Sequence, residues 1–444
     1  MKLSRSLTLA LSLTLAQSAL AEAVKDREGA VRNDRAKMEN DARWIYNDVE
    51  NGFTEAAKTG KPLLVVLRCV PCLACMGMDA AVLASDDLSP LLDQFVCVRL
   101  INANAIDLQL FQFDYDLSFS TLIFNADRTI YGRYGSWQHQ KDSQDTSLET
   151  YTSALRRALD LHRAYPGNKD SLLGKQGGPT PFRTPVDIPK LAERYGRELD
   201  WKGNVVKSCV HCHQIGDAFR ASYHDNNKPV PLEFIYPMPA PETLGMTLSA
   251  TDTLRIEQVA PNSAAAKAGL QPGDLIDTFN NQPLISVADA AWILHRSPAT
   301  GSLPITLRRN GEPVSLSITL EPDWRYKTDI SRRVGAWSLR GMTTGGLVLE
   351  DLDDTARSER GLDTQSLALW VKGLGQYGPH GLAKRSGFQK DDILIEIDGI
   401  KNRLPESELL GRLLTDPKGR HPLSITLLRN KKRLELTLPI AIEQ

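Results

Sequence analysis

The sequence predicts a multidomain chain, α/β in its first part and β-rich in its second, and three observations carry that expectation. Apolar strand-like runs alternate with helical stretches as far as about residue 165, the alternation expected of an α/β unit. A stretch rich in Pro, Gly and charge then occupies residues 166–241, and one strand-rich pattern occurs twice after it. At 444 residues the chain exceeds what one hydrophobic core usually organises, so several folded units are expected, one per roughly 150 residues.

The first element is an export signal. Lys2 and Arg5 precede an apolar run over 7–16, and Ala19-Leu20-Ala21 supplies the small-residue pattern at which signal peptides are cut, so residues 1–21 are expected to be removed after export to the periplasm or beyond. The run is well short of the roughly 20 residues that cross a bilayer. No later apolar stretch is long enough either, so no stable membrane span is expected. The 53 Lys and Arg against 54 Asp and Glu leave no basic excess, which argues against nucleic acid, whose backbone demands clustered positive charge.

Residues 22–165 form the first domain. A charged helical segment is expected over about 25–51, followed by the strand Leu63-Leu64-Val65-Val66-Leu67 and a second buried strand over 95–100. Residues 121–124 and 130–133 read as a hairpin turned by Asn125-Ala126-Asp127-Arg128, and 151–163 as an amphipathic helix. Between the first two strands lie Cys69, Cys72 and Cys75. A dithiol becomes a redox centre when one sulfur sits at a helix N-terminus, where the dipole stabilises the attacking thiolate. Cys72-Leu73-Ala74-Cys75 follows a strand and opens a helical pattern, the context such a pair requires. The overlapping Cys69-Val70-Pro71-Cys72 leaves the register open, with Cys72 and Cys75 preferred. A structural disulfide and a soft-metal site are the alternatives, and Cys97 reads as a small core residue.

On these residues the segment 61–134 resembles the thioredoxin-like superfamily. The resemblance implies that Cys72 attacks a partner disulfide and Cys75 resolves it, with Cys69 a third candidate. It departs at Ser120 in Phe119-Ser120-Thr121-Leu122, where thioredoxins place a cis-proline that shapes the substrate edge.

In the 166–241 stretch, Cys209-Val210-His211-Cys212-His213 has the spacing that attaches c-type haem. Two thiols add to the vinyl groups, and the adjacent imidazole, here His213, becomes the proximal iron ligand. One covalent haem c is therefore expected. Met238 in Pro237-Met238-Pro239 resembles the methionine loop of small cytochromes c and is the candidate second ligand, with Met246, His211 and His224 as rivals. His211, held between the attachment cysteines, is the weakest. A disulfide or half a zinc site is the bland alternative, and no second C-x-x-C stands nearby to complete the zinc site. Residues 190–241 hold too few apolar side chains to enclose a porphyrin, so a neighbouring domain is expected to supply walls.

The repeat aligns Ala268-Gly269-Leu270-Gln271-Pro272-Gly273-Asp274-Leu275-Ile276 with Ser386-Gly387-Phe388-Gln389-Lys390-Asp391-Asp392-Ile393-Leu394, and 305–310 with 425–430. Two tandem β-rich domains follow, 242–322 and 323–444. The first, with Leu244-Gly245-Met246-Thr247-Leu248 ahead of Pro272-Gly273-Asp274, closely resembles the PDZ domains found behind bacterial HtrA proteases. The resemblance implies β-augmentation, in which a client's C-terminal strand joins the sheet edge formed by Leu244, Gly245, Met246, Thr247 and Leu248 while amides near Gly245 hold its carboxylate. The second copy is more divergent: Asp391 stands in place of Gly273, and its peptide loop is placed at Leu339-Arg340-Gly341-Met342. No protease Ser, His and Asp set stands upstream, so proteolysis is not implied.

The whole order resembles a group of exported bacterial thioredoxin-like PDZ proteins. It implies a thiol–disulfide oxidoreductase with haem c, a redox partner protein, and clients recruited through PDZ domains. The other reading is a non-enzymatic scaffold or haem-based sensor whose cysteines are structural or bind metal. A dithiol moves two electrons and one haem moves one, so direct transfer between them is awkward.

Overall fold

The computed structural model describes residues 26–70, 85–117, 119–135, 148–249 and 254–440. Contacts divide the chain into two compact units: residues up to 215 with 245–296 and 302–318, and residues 216–244 with 297–301 and 319 onward.

In the first unit Asp26 caps α1 (Arg27–Met38) through its carboxylate. The single helix expected over 25–51 is interrupted. Trp44-Ile45-Tyr46, aromatic and β-branched residues that suit a pleated surface, forms β1 (Trp44–Tyr46). Asp48 then caps α2 (Val49–Thr59), which Gly60 ends in the left-handed region. β2 (Leu63–Arg68), β3 (Val96–Leu100), β4 (Phe119–Phe124) and β5 (Ile130–Tyr134) complete a five-stranded sheet ordered β1-β3-β2-β4-β5. The pairs β1–β3 and β2–β3 are parallel, whereas β4 is antiparallel to β2 and to β5. The hairpin is thus where the sequence placed it, with Ser120 opposite Leu67 on a regular strand.

Every residue of β2 and β4 is buried, as strands covered on both faces require. One face receives α3 (Leu148–Ala164), whose Tyr151, Ala154, Leu155, Ala158 and Leu159 follow helical spacing onto the sheet core. Cys97 is buried in β3, and burial pushes its thiol up to about 12. That is the core residue the sequence predicted.

The 166–241 stretch is more ordered than a linker. It carries several one-turn helices and the 13-residue α4 (Cys212–His224).

A PDZ-type unit follows: β6 (Met246–Leu248), β7 (Ile256–Val259), β8 (Leu275–Phe279), α5 (Val287–Arg296), β9 (Gly301–Arg309) and β10 (Glu312–Leu320). The first eight residues of α5 are all buried. Part of that cover comes from β5 and the chain after α3. A Cβ on Gly132 would overlap Ile285 and Asp289, so glycine permits this approach. Asp289 accepts from the amides of Arg133 and Ile285 at 3.0 and 2.9 Å and from Lys175 Nζ at 2.7 Å. Trp292 donates from Nε1 to the Gly174 carbonyl at 2.8 Å, and the Arg133 guanidinium lies 3.8 Å above its ring.

The second unit holds α6 (Gly335–Met342), β11 (Leu347–Asp351), β12 (Leu369–Leu374), β13 (Ile393–Ile397), α7 (Glu406–Leu414), β14 (Leu423–Arg429) and β15 (Lys432–Leu438). The five strands form an antiparallel sheet in chain order.

The internal repeat has a physical basis. In the first copy Arg309 clamps Asp274 through two bonds of 2.8 Å and reaches the Gly269 carbonyl. Arg429 does the same to Asp392 and the Gly387 carbonyl in the second. Gly273 at φ 93° is matched by Asp391 at φ 71°. Aspartate is among the few side chains that tolerate this region, so the substitution noticed in the sequence keeps the turn.

Candidate functional site

The CxxCH segment is held against the end of the thioredoxin-like sheet. Asn104, fully buried after β3, donates to the carbonyls of Gly196 and Ser208 at 2.7 and 2.8 Å and accepts from the Val210 amide at 2.8 Å. Glu28 on α1 accepts from the amides of Val205 and Val206, and Arg32 donates to the carbonyls of Trp201 and Gly203. Each bond satisfies a backbone group that an irregular segment would otherwise expose.

This docking creates a small, mostly apolar cleft. Its apolar walls include Leu67 from β2, Leu100 and Ile101 at β3, Val31 from α1, and Val205 with Val210 from the docked segment. Cys69, Cys209, Cys212 and His211 also line it. Cys69 follows directly on β2, and its Sγ lies 3.1 Å from His211 Nδ1. The His211 amide donates to Gln214 Oε1, which is also bonded to the Tyr195 hydroxyl. The His211 and His213 rings stack at 18°, with centroids 6.0 Å apart.

Burial disfavours the charged forms of Cys209, Cys212 and His211. Burial pushes the Cys209 thiol up to about 11 and the Cys212 thiol to about 12, although Cys212 opens α4. Desolvation outweighs the helix dipole here. Burial, His213 and nearby arginines hold His211 below its ordinary value. Among the described residues the cleft's cysteines and histidines do not converge as a three-ligand cluster; Asp398, Asp416 and His421 do. His421 is already bonded through Nε2 to Asp398 and through Nδ1 to the Gly419 carbonyl, which reads as a charge pair.

The other predicted residues are distributed as follows. Cys72 and Cys75 lie outside the described residues, as does the signal segment 1–21. Met238 is buried in the second unit, where its carbonyl accepts from Arg333. His224 belongs there too, bonded to Asp225 and the Met342 carbonyl. Leu244 is buried at the end of a one-turn helix in the second unit, whereas Met246 and Leu248 are buried in the first PDZ-type unit, with Thr247 partly exposed between them. Gly245 adopts φ 83°, and its carbonyl accepts from the Ala260 amide at 2.8 Å.

The placement of the second peptide loop at Leu339-Arg340-Gly341-Met342 is corrected: those residues belong to helix α6. Its counterpart is Gly345-Gly346, since Gly346 at φ 87° accepts from the Gly375 amide at 2.9 Å as Gly245 does from Ala260. The edge strand β11 is internally engaged. Glu406 at the start of α7 accepts from the Leu349 amide at 2.8 Å, and Arg340 binds the same carboxylate through Nε and a terminal nitrogen.

Sequence reading did not single out Asn104 or the contact between Cys69 and His211. A polar pair, Asn102 and Asn104, directly after a buried strand was the available signal.

Two family models match: Thioredoxin-like over residues 44–126 and PDZ domain over 255–309. Among curated relatives, the periplasmic pH-dependent serine endoprotease DegQ of Escherichia coli is 28% identical over 143 residues, covering 32% of this chain and 28% of that protein. A probable periplasmic serine protease do/HhoA-like of Haemophilus influenzae is 27% identical, covering 43% and 36%. The chain therefore spans about a third of the length of these relatives. Among solved structures, a serine endoprotease from Yersinia pestis is 30% identical over 17% of this chain and 27% of that one, with a TM-score of 0.16. Among the described residues no helix is long and apolar enough to cross a membrane. The chain joins a thioredoxin-like domain to a PDZ domain.

Proposed function

We propose that this is an exported thiol–disulfide redox protein that carries a covalent c-type haem and recruits protein clients by their C-terminal peptides. One observation carries the reading: Cys69, at the end of the thioredoxin-like strand, and the Cys209 and Cys212 thiols line a single apolar cleft. The residue types suit a haem c: two thiols at C-x-x-C spacing with an imidazole next to the second. Cys209 and Cys212 would form the thioethers and His213 would ligate the iron, while Leu67, Leu100 and Ile101 supply the apolar wall that the segment lacks by itself. Bound there, the haem would supply one-electron transfer.

The protein's own residues do the rest. The docked segment and the sheet end exclude water. Burial pushes up the Cys209 and Cys212 thiols, which makes them poor nucleophiles at neutral pH and argues against their attacking a partner disulfide. Disulfide attack is accordingly assigned to Cys72, with Cys75 resolving the mixed disulfide. Client recruitment falls to the first PDZ domain, at the β6 edge beside Gly245. The second copy, with Glu406 already on the Leu349 amide, is assigned a docking role. Kinship with periplasmic HtrA-type proteins accords with export.

The test is expression with haem-attachment machinery, followed by a reduced-minus-oxidised spectrum. Sharp c-type bands that are lost in C209S/C212S are expected, and their absence in the parent protein refutes the cofactor. Disulfide turnover that is unchanged in C72S refutes the enzymatic role.

A further inference from the structure

Resting on the redox reading of the cleft, we propose that Cys69 is the intrachain exchange partner of the Cys209 and Cys212 pair, so that the thioredoxin-like domain acts on the CxxCH segment of its own molecule. Cys69 Sγ is within 3.1 Å of a ring nitrogen of His211, the residue immediately before Cys212, and all three sulfurs line one cleft. The juxtaposition is built, because Asn104, Glu28 and Arg32 together fix the backbone leading into the motif and at Val210 within it.

The chemistry gives this placement a purpose. In an oxidising compartment two cysteines three positions apart are prone to pair, and a sulfur already in a disulfide cannot add to a vinyl group. Cys209 is the less enclosed of the two. The Cys69 thiolate attacks Cys209 Sγ in a Cys209–Cys212 disulfide; the Cys69–Cys209 bond forms, the Cys209–Cys212 bond breaks, and Cys212 takes up a proton from solvent as it leaves, ending as the thiol that its burial favours. An external dithiol reductant then attacks Cys69 Sγ, Cys209 departs as a thiolate and is protonated, and the second thiol of that reductant displaces Cys69. The reductant leaves as a disulfide, having given up the two electrons that the Cys209 and Cys212 pair gained.

The test uses the full chain exported to an oxidising compartment without haem-attachment machinery. C212S should trap the intermediate, read by digestion and mass spectrometry under non-reducing conditions as a Cys69–Cys209 cross-linked peptide that disappears in C69S/C212S. Pairing of Cys209 with Cys72, Cys75 or Cys97 instead overturns the proposal. A second measurement does not depend on C212S folding: in the otherwise unaltered chain, alkylation after mild oxidation follows re-reduction of Cys209 and Cys212 by dithiothreitol. C69S should slow it by about tenfold or more, since an attacking thiol already in place replaces a bimolecular encounter; equal rates overturn the idea. The two readings fail separately. A cross-link without c-type bands removes the haem and leaves the exchange, and c-type bands without a cross-link do the reverse.

Discussion

Replacing Asp289 with alanine is expected to destabilise the first unit by about 3–5 kcal/mol, the cost of removing one partner from a buried ion pair. The carboxylate and Lys175 are 1% and 0% exposed and 2.7 Å apart. Asp289 also accepts the amides of Arg133 and Ile285, and each stranded donor adds roughly 1–3 kcal/mol, so the upper end of the range is expected. The double variant D289L/K175M removes both charges and should recover much of the loss, as apolar replacements of buried pairs often do. Burial already pulls the Lys175 ammonium below its ordinary value, and Asp289 draws it back. Without Asp289 the folded chain holds the proton less well than the unfolded chain, whose lysine titrates near ~10.4. Stability then rises with pH over the window below that value, so the D289A penalty should shrink from pH 7 toward about pH 10. Urea unfolding followed by near-ultraviolet circular dichroism at both pH values measures this. A D289A variant within about 1 kcal/mol of the parent at pH 7 would refute the argument, because that is the scale of an exposed pair.

Two further outcomes follow from the second unit. R340A leaves Glu406 buried beside the Leu349 amide, so a loss of about 3–5 kcal/mol is expected, with faster hydrogen exchange at Leu349; unchanged exchange there would mean that the β11 edge is held by something else. His421 is raised above its ordinary value by its bond to Asp398, then by the Gly419 carbonyl, with Asp416 adding to the field. Its contribution to stability is therefore present below about pH 6.5 and lost as pH climbs through the folded value. A histidine titration by NMR should show a midpoint that falls in D398N.

The order of domains was legible because its signals are local. The Leu63-Leu64-Val65-Val66-Leu67 run needs no partner to announce a buried strand, and the Asn125-Ala126-Asp127-Arg128 turn announces its hairpin. The duplicated Gly and Asp positions of the C-terminal half coincide with the clamps made by Arg309 and Arg429. What was hidden depends on long-range contact. The residues 25–51 carry charge on a helical background, and only packing of Trp44 and Tyr46 beside β3 reveals a strand there. The segment 335–342 has the glycine of a loop and the periodicity of a helix, and burial of Leu339 and Arg340 decides for the helix. The cleft itself arises from residues more than a hundred positions apart, Cys69 with His211 and Asn104 with Val210, which no local pattern joins.

The enclosure of α5 bears on how clients should be sought. A fragment cut to the PDZ boundaries would bare Trp292 and Ile285, which now rest on Gly174, Arg133 and Gly132. Such a fragment would be sticky toward apolar sequences of any kind, and a peptide library panned on it would report that adhesiveness in place of true selectivity. Bait for such screens should keep the thioredoxin-like domain attached.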